Sequence, residues 1–258
     1  MADEVWVVRC GQVPYAYARE AQKALEAARQ AEEIPDLLLL LEHPPVYTKG
    51  RRTTADELPM GEDWYRMQGI DVTGTDRGGR VTYHGPGQLV GYPIVSLKAY
   101  GDDVHEYVRR LERVMIQALA AHGVEAGCIE GLTGVWTAGP RPGDPEAFAR
   151  GIEPAKKIGS IGVHVNRSVT THGFAINVAN DLQPFEWIVP CGIDGCRMTS
   201  VCRELGTQHE TGRAAARPRI MDAYMDTVSE LFGRIFEREP VEAEGTLEGL
   251  TGGAAPVR

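Results

Sequence analysis

Short apolar runs and longer amphipathic stretches alternate along the first half of the chain. Val5–Val8 and Leu37–Leu41 are bounded by polar or turn residues and read as buried strands. Five consecutive leucines also suit a helix, but the His43-Pro44-Pro45 that follows favours a strand. Between these runs, Ala16 to Ala31 is rich in Ala, Glu, Lys and Arg and predicts a helix. A second helix is predicted where Val104, Tyr107, Val108, Leu111, Val114, Met115, Ala118 and Leu119 recur at helical spacing, with Gly123 as its stop. A third begins near Pro218 and puts Ile220, Met221, Tyr224, Val228, Leu231 and Ile235 on one face.

The segments Gly78–Ile94, Lys157–Val178 and Trp187–Val201 carry Gly, Thr, Val and Ile between turn residues, and predict strands joined by tight loops. Strands and helices follow one another without a regular repeat. The predicted class is therefore α+β (mixed α/β), a mixed β-sheet flanked by helices, and the length allows one large domain or two small ones. Ala138 to Pro154 contains four prolines and few core formers, so an exposed loop is expected there. Residues 239–258 are rich in Glu, Gly and Ala without an apolar period, and a disordered tail is expected.

Composition narrows the partners. With 258 residues and 43% hydrophobic residues the chain can bury a full core, and its formal charge of -9 argues against nucleic acid or an anionic membrane as a general partner. Arg51, Arg52, Arg77, Arg80, Arg109 and Arg110 are nonetheless available for a local basic mouth that meets an acidic partner. Two early carboxylates and no long apolar run make the N-terminus unlike a signal peptide or membrane anchor, so a cytoplasmic location is expected. Cys10, Cys128, Cys191, Cys196 and Cys202 are an odd, scattered set and read as free thiols.

Three segments carry candidate chemistry. Arg77-Gly78-Gly79-Arg80-Val81-Thr82-Tyr83-His84-Gly85-Pro86-Gly87-Gln88 holds four glycines, which expose backbone N–H groups suited to a carbonyl oxygen or a phosphate. It matches neither the phosphate-loop pattern nor the dinucleotide fingerprint. A plain tight hairpin is the bland alternative, and it leaves the crowded Arg, Tyr and His unaccounted for. Lys157 enters an apolar, glycine-punctuated strand, where partial desolvation would lower its pKa and suit it to act as a base; a solvated strand-end lysine is the commoner case. Alternation sends Lys156 to the opposite face. Cys191 stands between Pro190 and Gly192, a plausible exposed elbow, although in this local context alone an inert thiol is the commoner reading. His43, His84, His164 and His172 show no metal-ligand spacing with the cysteines, and no metal is expected. No Gly-x-Ser-x-Gly elbow supports a serine hydrolase.

Taken together, Leu41–Gly50, Arg77–Ile94, Lys157–Val165, Thr171–Val178 and Pro190–Gly192 resemble the lipoyl(octanoyl) transferases, which share a catalytic fold with the biotin and lipoate protein ligases. The matching stretches span roughly the middle three-fifths of the chain, in the family's order. The resemblance implies that residues 1–238 form one acyltransferase catalytic domain. It puts the acyl-thioester cysteine on Cys191 and its partner lysine on Lys157. The acyl-binding stretches fall on Arg77, Gly78, Gly79, Arg80, Val81, Thr82, Tyr83 and His84, on Ser160, Ile161 and Gly162, and on Gly173, Phe174 and Ala175.

The implied reaction moves an octanoyl group from the phosphopantetheine of acyl carrier protein, through Cys191, to a lysine of lipoyl domains in 2-oxoacid dehydrogenases and the glycine cleavage H protein. No cofactor of the enzyme's own is implied. Backbone N–H groups around Gly162 and Gly173 are candidates for an oxyanion hole. Three rivals accompany this reading: an ATP-dependent lipoate or biotin ligase on the same fold, a lipoyl amidotransferase with a different donor, and a non-catalytic acyl-binding module.

Overall fold

The computed structural model describes residues 4–189, 196–207, 216–243 and 247–251. Its centre is a mixed sheet of eight strands among these residues. The strands are β1 (Glu4–Gln12), β2 (Asp36–Glu42), β6 (Gln88–Ile94), β7 (Ala126–Ile129), β8 (Leu132–Thr137), β9 (Lys157–Asn166), β10 (Val169–Asn177) and β11 (Glu239–Glu242). They lie in the order β11-β1-β2-β6-β10-β9-β8-β7. β1 runs parallel to β2 and to β11, and every pairing from β2 through β7 is antiparallel.

The leucine run forms β2 because both faces of that strand are covered. Leu38 and Leu40 enter one core cluster, and Leu37, Leu39 and Leu41 enter another on the opposite face. Helix α1 (Tyr15–Gln30) supplies Ala18, Ala21 and Leu25 to the second cluster. The first is closed by α3 (Val104–Ala121) and α7 (Ala216–Phe236), which pack on each other. Asp103 caps α3 by accepting from the N–H groups of His105 and Glu106, and Gly123 ends it at φ +81°. These three helices lie within a residue or two of where the sequence pattern puts them.

The structure corrects three expectations. A second sheet of three strands, order β4-β3-β5, is built from β3 (Val46–Lys49), β4 (Asp71–Gly74) and β5 (Thr82–His84). β3 and β4 are only four residues each, too short for their alternation to stand out. This sheet, with α2 (Glu62–Met67) and α5 (Gln183–Glu186), has its own core of Tyr47, Tyr65, Val81, Tyr83 and Phe185. Second, residues 239–258 are not a disordered tail throughout. Glu239–Glu242 is β11, paired with β1, and Leu247 is buried in the α1 cluster; residues 244–246 and 252–258 lie outside the described residues. All four β11 residues are exposed, so hydrogen bonding to a neighbouring strand forms it without an apolar pattern. Third, the described part of Trp187–Val201 forms no strand beyond an isolated parallel bridge between Met198 and Lys157. The Ala138–Pro154 loop carries one short helix, α4 (Pro145–Ala149), with Ala147 buried.

Candidate active site

β9 and β10 bring together two of the three acyl-binding stretches. Ser160 pairs with Ala175, Ile161 with Phe174 and Gly162 with Gly173. Gly162 and Gly173 thus sit opposite each other in the antiparallel ladder. The Arg77–Arg80 loop closes over them, with the Gly78 N–H donating to the Val163 carbonyl at 2.9 Å. A Cβ on Gly162 would lie 3.0 Å from Arg77 Cδ and 3.1 Å from the Gly78 oxygen, so glycine permits this approach.

Between these elements is a cavity of about 340 Å³, a size suited to a small ligand. Arg77, Gly78, Gly79, Arg80, Thr82, His84, Lys157, Ser160, Ile161, Gly162, Gly173, Phe174 and Ala175 line it. Val81 and Tyr83 do not. Alternation through β5 turns them into the core of the small sheet, leaving Thr82 and His84 on the cavity side.

Lys157 is 3% exposed, while Lys156 points away and pairs with Glu153 at 2.9 Å. The Lys157 ammonium lies 5.2 Å from the centroid of the buried Trp136 ring, a cation–π geometry. Its backbone is held on both sides: its N–H donates to Arg197 at 2.8 Å, and its carbonyl accepts from Thr199 at 2.9 Å. Arg197 and Thr199 follow residues 190–195, which include Cys191 and lie outside the described residues. On the near side of that gap, the Val189 N–H donates to the Glu57 carbonyl at 3.1 Å, and Tyr65 Oη donates to the Trp187 carbonyl at 2.7 Å. Cys10, Cys128 and Cys202 are free thiols.

The expected basic mouth is rearranged. Arg77 is buried and donates to the Thr48 carbonyl at 2.6 Å and to Thr48 Oγ1 at 2.8 Å. It therefore braces the loop from within. Arg80 forms an ion pair with Glu57, a carboxylate buried inside the small sheet's flank. Arg110 donates to the Ile235 carbonyl at 2.7 Å and covers the Tyr100 ring, which commits it to the α3–α7 contact. Arg51 meets His164 at 3.0 Å, Arg109 is exposed on α3, and Arg52 is exposed at the cavity rim.

Of the inner end of the cavity, sequence reasoning assigned only His84. Tyr15, His84, Tyr92 and His172 line it and are all buried. His43, just behind, donates from Nδ1 to the Val13 carbonyl at 2.6 Å and accepts at Nε2 from Tyr92 Oη at 2.7 Å. His84 donates from Nδ1 to Gln88 Oε1 at 2.6 Å, and Gln88 in turn donates to Asn177, which donates to the Thr199 carbonyl. That chain runs from the inner wall to Thr199, whose N–H donates to the Lys157 carbonyl. His172 donates from Nε2 to Asp76 at 2.9 Å. Burial pushes His43 and His172 down to about 4 and His84 well below the usual imidazole range. All three are neutral near pH 7. The available signal was polar residues placed inside otherwise apolar strands. Among the described residues no group of three or more His, Cys, Asp or Glu is arranged to hold a metal ion, and no helix is long and apolar enough to cross a membrane.

Comparison with known proteins gives the family. The sequence profile of the lipoyl protein ligase A/B catalytic domain matches residues 14–224. A protein of Koribacter versatilis named octanoyltransferase is 40% identical over 237 residues, covering 91% of this chain and 85% of its own. The octanoyltransferase of Mycolicibacterium gilvum is 46% identical over 225 residues, covering 87% and 84%. Among solved structures, a putative lipoate protein ligase from T. acidophilum superposes with a TM-score of 0.62 at 14% identity, covering 98% of this chain and 93% of that one. A bipartite lipoate protein ligase from Thermoplasma acidophilum, described with its E2 lipoyl domain, gives 0.63 at 16% identity, covering 96% and 91%. These two share the fold. By profile and by curated relatives, the chain belongs to the lipoyl protein ligase A/B catalytic-domain family, among its octanoyltransferases, and is an acyltransferase.

Proposed function

We propose that the protein takes an octanoyl group from acyl carrier protein, holds it on Cys191 as a thioester, and passes it to a lysine of a lipoyl domain. The observation that carries this reading is the backbone pairing of Lys157 with Arg197 and Thr199, a few residues after Cys191 in the chain, beside a cavity of acyl-chain size. In this reading the Lys157 ammonium favours the thiolate of Cys191 by its charge, and the thiolate attacks the carbonyl carbon of the donor thioester. The phosphopantetheine thiolate leaves and takes the proton of the Lys157 ammonium, which leaves Lys157 neutral. Exchange of one thioester for another is nearly isoenergetic, so the enzyme contributes mainly positioning.

In the second half-reaction Lys157, now neutral, accepts a proton from the acceptor lysine. The amine attacks the Cys191 thioester, the C–S bond breaks, and an amide forms as the thiolate returns. Amide formation from a thioester runs downhill without ATP. The chain's methylenes contribute about 0.8 kcal/mol each when buried in the cavity. Lipoyl domains of 2-oxoacid dehydrogenases and the glycine cleavage H protein are the proposed acceptors, supported by the octanoyltransferase relatives and by a fold shared with a ligase described with its lipoyl domain. The cytoplasm, where both partners occur, is the proposed site of action.

The test offers an unmodified lipoyl domain two donors, octanoyl-acyl carrier protein without ATP, or free octanoate with ATP. The reading predicts octanoyl-lysine product from the first donor alone. Product from the second alone would transfer the chain to the ligase chemistry.

A further inference from the structure

Asn177, the last residue of β10, is 2% exposed and lies opposite Gln88 in the ladder with β6. Its carboxamide makes three hydrogen bonds. Nδ2 donates to the Thr199 carbonyl at 3.0 Å, and Oδ1 accepts from Gln88 at 2.9 Å and from Asn180 at 3.2 Å. The three partners do not depend on it equally. Gln88 also donates to the Tyr83 carbonyl at 3.1 Å, and Asn180 to the Asp181 carbonyl at 3.3 Å. The Thr199 carbonyl has no other donor among the described residues, and Thr199 is wholly buried. Loss of the Asn177 amide would leave Gln88 and Asn180 partnered and strand that one buried carbonyl, which is costly. What the side chain secures is therefore the segment ending at Thr199.

Lys157 holds the same segment from the other side. Its N–H donates to the Arg197 carbonyl and its carbonyl accepts from the Thr199 N–H, which lays Met198 against β9 as a single parallel bridge. Among the described residues this is the first stretch after residues 190–195 to pair with the sheet. We propose that Asn177 is a positioning residue for acyl transfer: by fixing the Thr199 carbonyl it seats the Arg197–Thr199 segment on β9, and so places Lys157 and the chain that follows Cys191 relative to each other. This rests on the reading that Cys191 carries the acyl group. Neither Asn177 nor Thr199 is among the residues lining the cavity, so loss of the bond acts on rate and not on acyl binding.

The experiment compares the unaltered full chain with Asn177→Asp, which keeps the shape but as a carboxylate cannot donate, and with the uncharged Asn177→Leu. Asn180→Ala, which leaves the bond to Thr199 in place, is the control. Transfer from octanoyl-acyl carrier protein should lose about tenfold or more in kcat in both Asn177 variants, with KM changed by less than about twofold. Alkylation of Cys191 by iodoacetamide near pH ~7, read by peptide mapping, should slow in parallel, and Asn180→Ala should change neither. A merely structural role would lower Tm and leave kcat and alkylation unchanged in the folded variants, and that result overturns the proposal. An equal loss in Asn180→Ala overturns it too. If neither Asn177 variant folds, hydrogen exchange on the unaltered protein decides. Protection of the Thr199 amide equal to that of β9 supports the proposal, and exchange at the rate of an open loop overturns it. If Cys191 of the unaltered protein takes up neither octanoyl nor iodoacetamide, the thioester reading itself fails, and this inference with it.

Discussion

The side chain of Lys157 crosses Gly134 so closely that a Cβ on Gly134 would fall 2.8 Å from Lys157 Cε and 3.3 Å from Nζ. Gly134 has φ +113° and would also meet the Gly159 carbonyl at 2.5 Å, so glycine is required there twice over. Gly134→Ala should lose about 1–3 kcal/mol of stability, and by displacing the ammonium it should lower transfer more than ~10-fold. Assays well below the variant's melting temperature separate the two effects. Unchanged transfer by a folded Gly134→Ala protein would show that the position of Lys157 does not matter.

Arg52 is the exposed cation at the cavity rim, and it is the one to test for docking of an acidic carrier. Arg52→Glu should lower kcat/KM for octanoyl-acyl carrier protein by about 3–10-fold and weaken its salt dependence, while octanoyl-pantetheine is used as before. Equal effects on both donors would make Arg52 part of the chamber instead.

Arg80→Glu should behave differently. It places a carboxylate against the buried Glu57, which is paired with Arg80 and also accepts from the Val81 N–H at 3.2 Å. A loss of about 3–5 kcal/mol is expected in urea unfolding, because a buried charge is left without its partner. Native-like stability would show that the ion pair is dispensable.

Acid should destabilise the fold through the buried imidazoles. His43 and His172 are depressed from 6.5 to about 4, mainly by burial. Above the unfolded value neither state binds the proton, and stability is unaffected. As pH falls from 6.5 towards 4 the unfolded chain takes up protons that the folded chain refuses, so stability drops across that window by about 2 kcal/mol per histidine near pH ~5. Urea titrations at about pH 7 and pH 5 measure this. His43→Phe should flatten the slope by roughly one proton.

Cutting the chain after Arg238 should cost about 1–3 kcal/mol, since it strips β11 from β1 and removes Leu247 from the α1 cluster. Thermal unfolding checks this. No change in Tm would mean that the pairing contributes nothing.

The contrast between β2 and β11 explains how far the fold could be read from sequence. β2 declares itself because Leu37–Leu41 fill two clusters, whereas β11 has four exposed residues and exists through backbone pairing alone. The chamber divides similarly. Arg77–His84, Ser160–Gly162 and Gly173–Ala175 were legible as motifs, and thirteen of the sequence-assigned residues including Lys157 meet in one cavity. Which of them face it was not legible: Val81 and Tyr83 turn away because of a three-residue strand. Arg77 reads as a surface cation until its bonds to Thr48 are seen. Tyr15, His43, Asp76 and His172 come from four separate segments and meet only in the folded chain, Tyr15 against His43 and Asp76 against His172.

The account turns on a covalent step at Cys191. Intact-mass spectrometry after incubation with octanoyl-acyl carrier protein should show one added octanoyl group, released by hydroxylamine, absent from Cys191→Ser, and transferred when an unmodified lipoyl domain is supplied. No adduct under conditions that give octanoyl-lysine product, or an adduct that persists in Cys191→Ser, would contradict it.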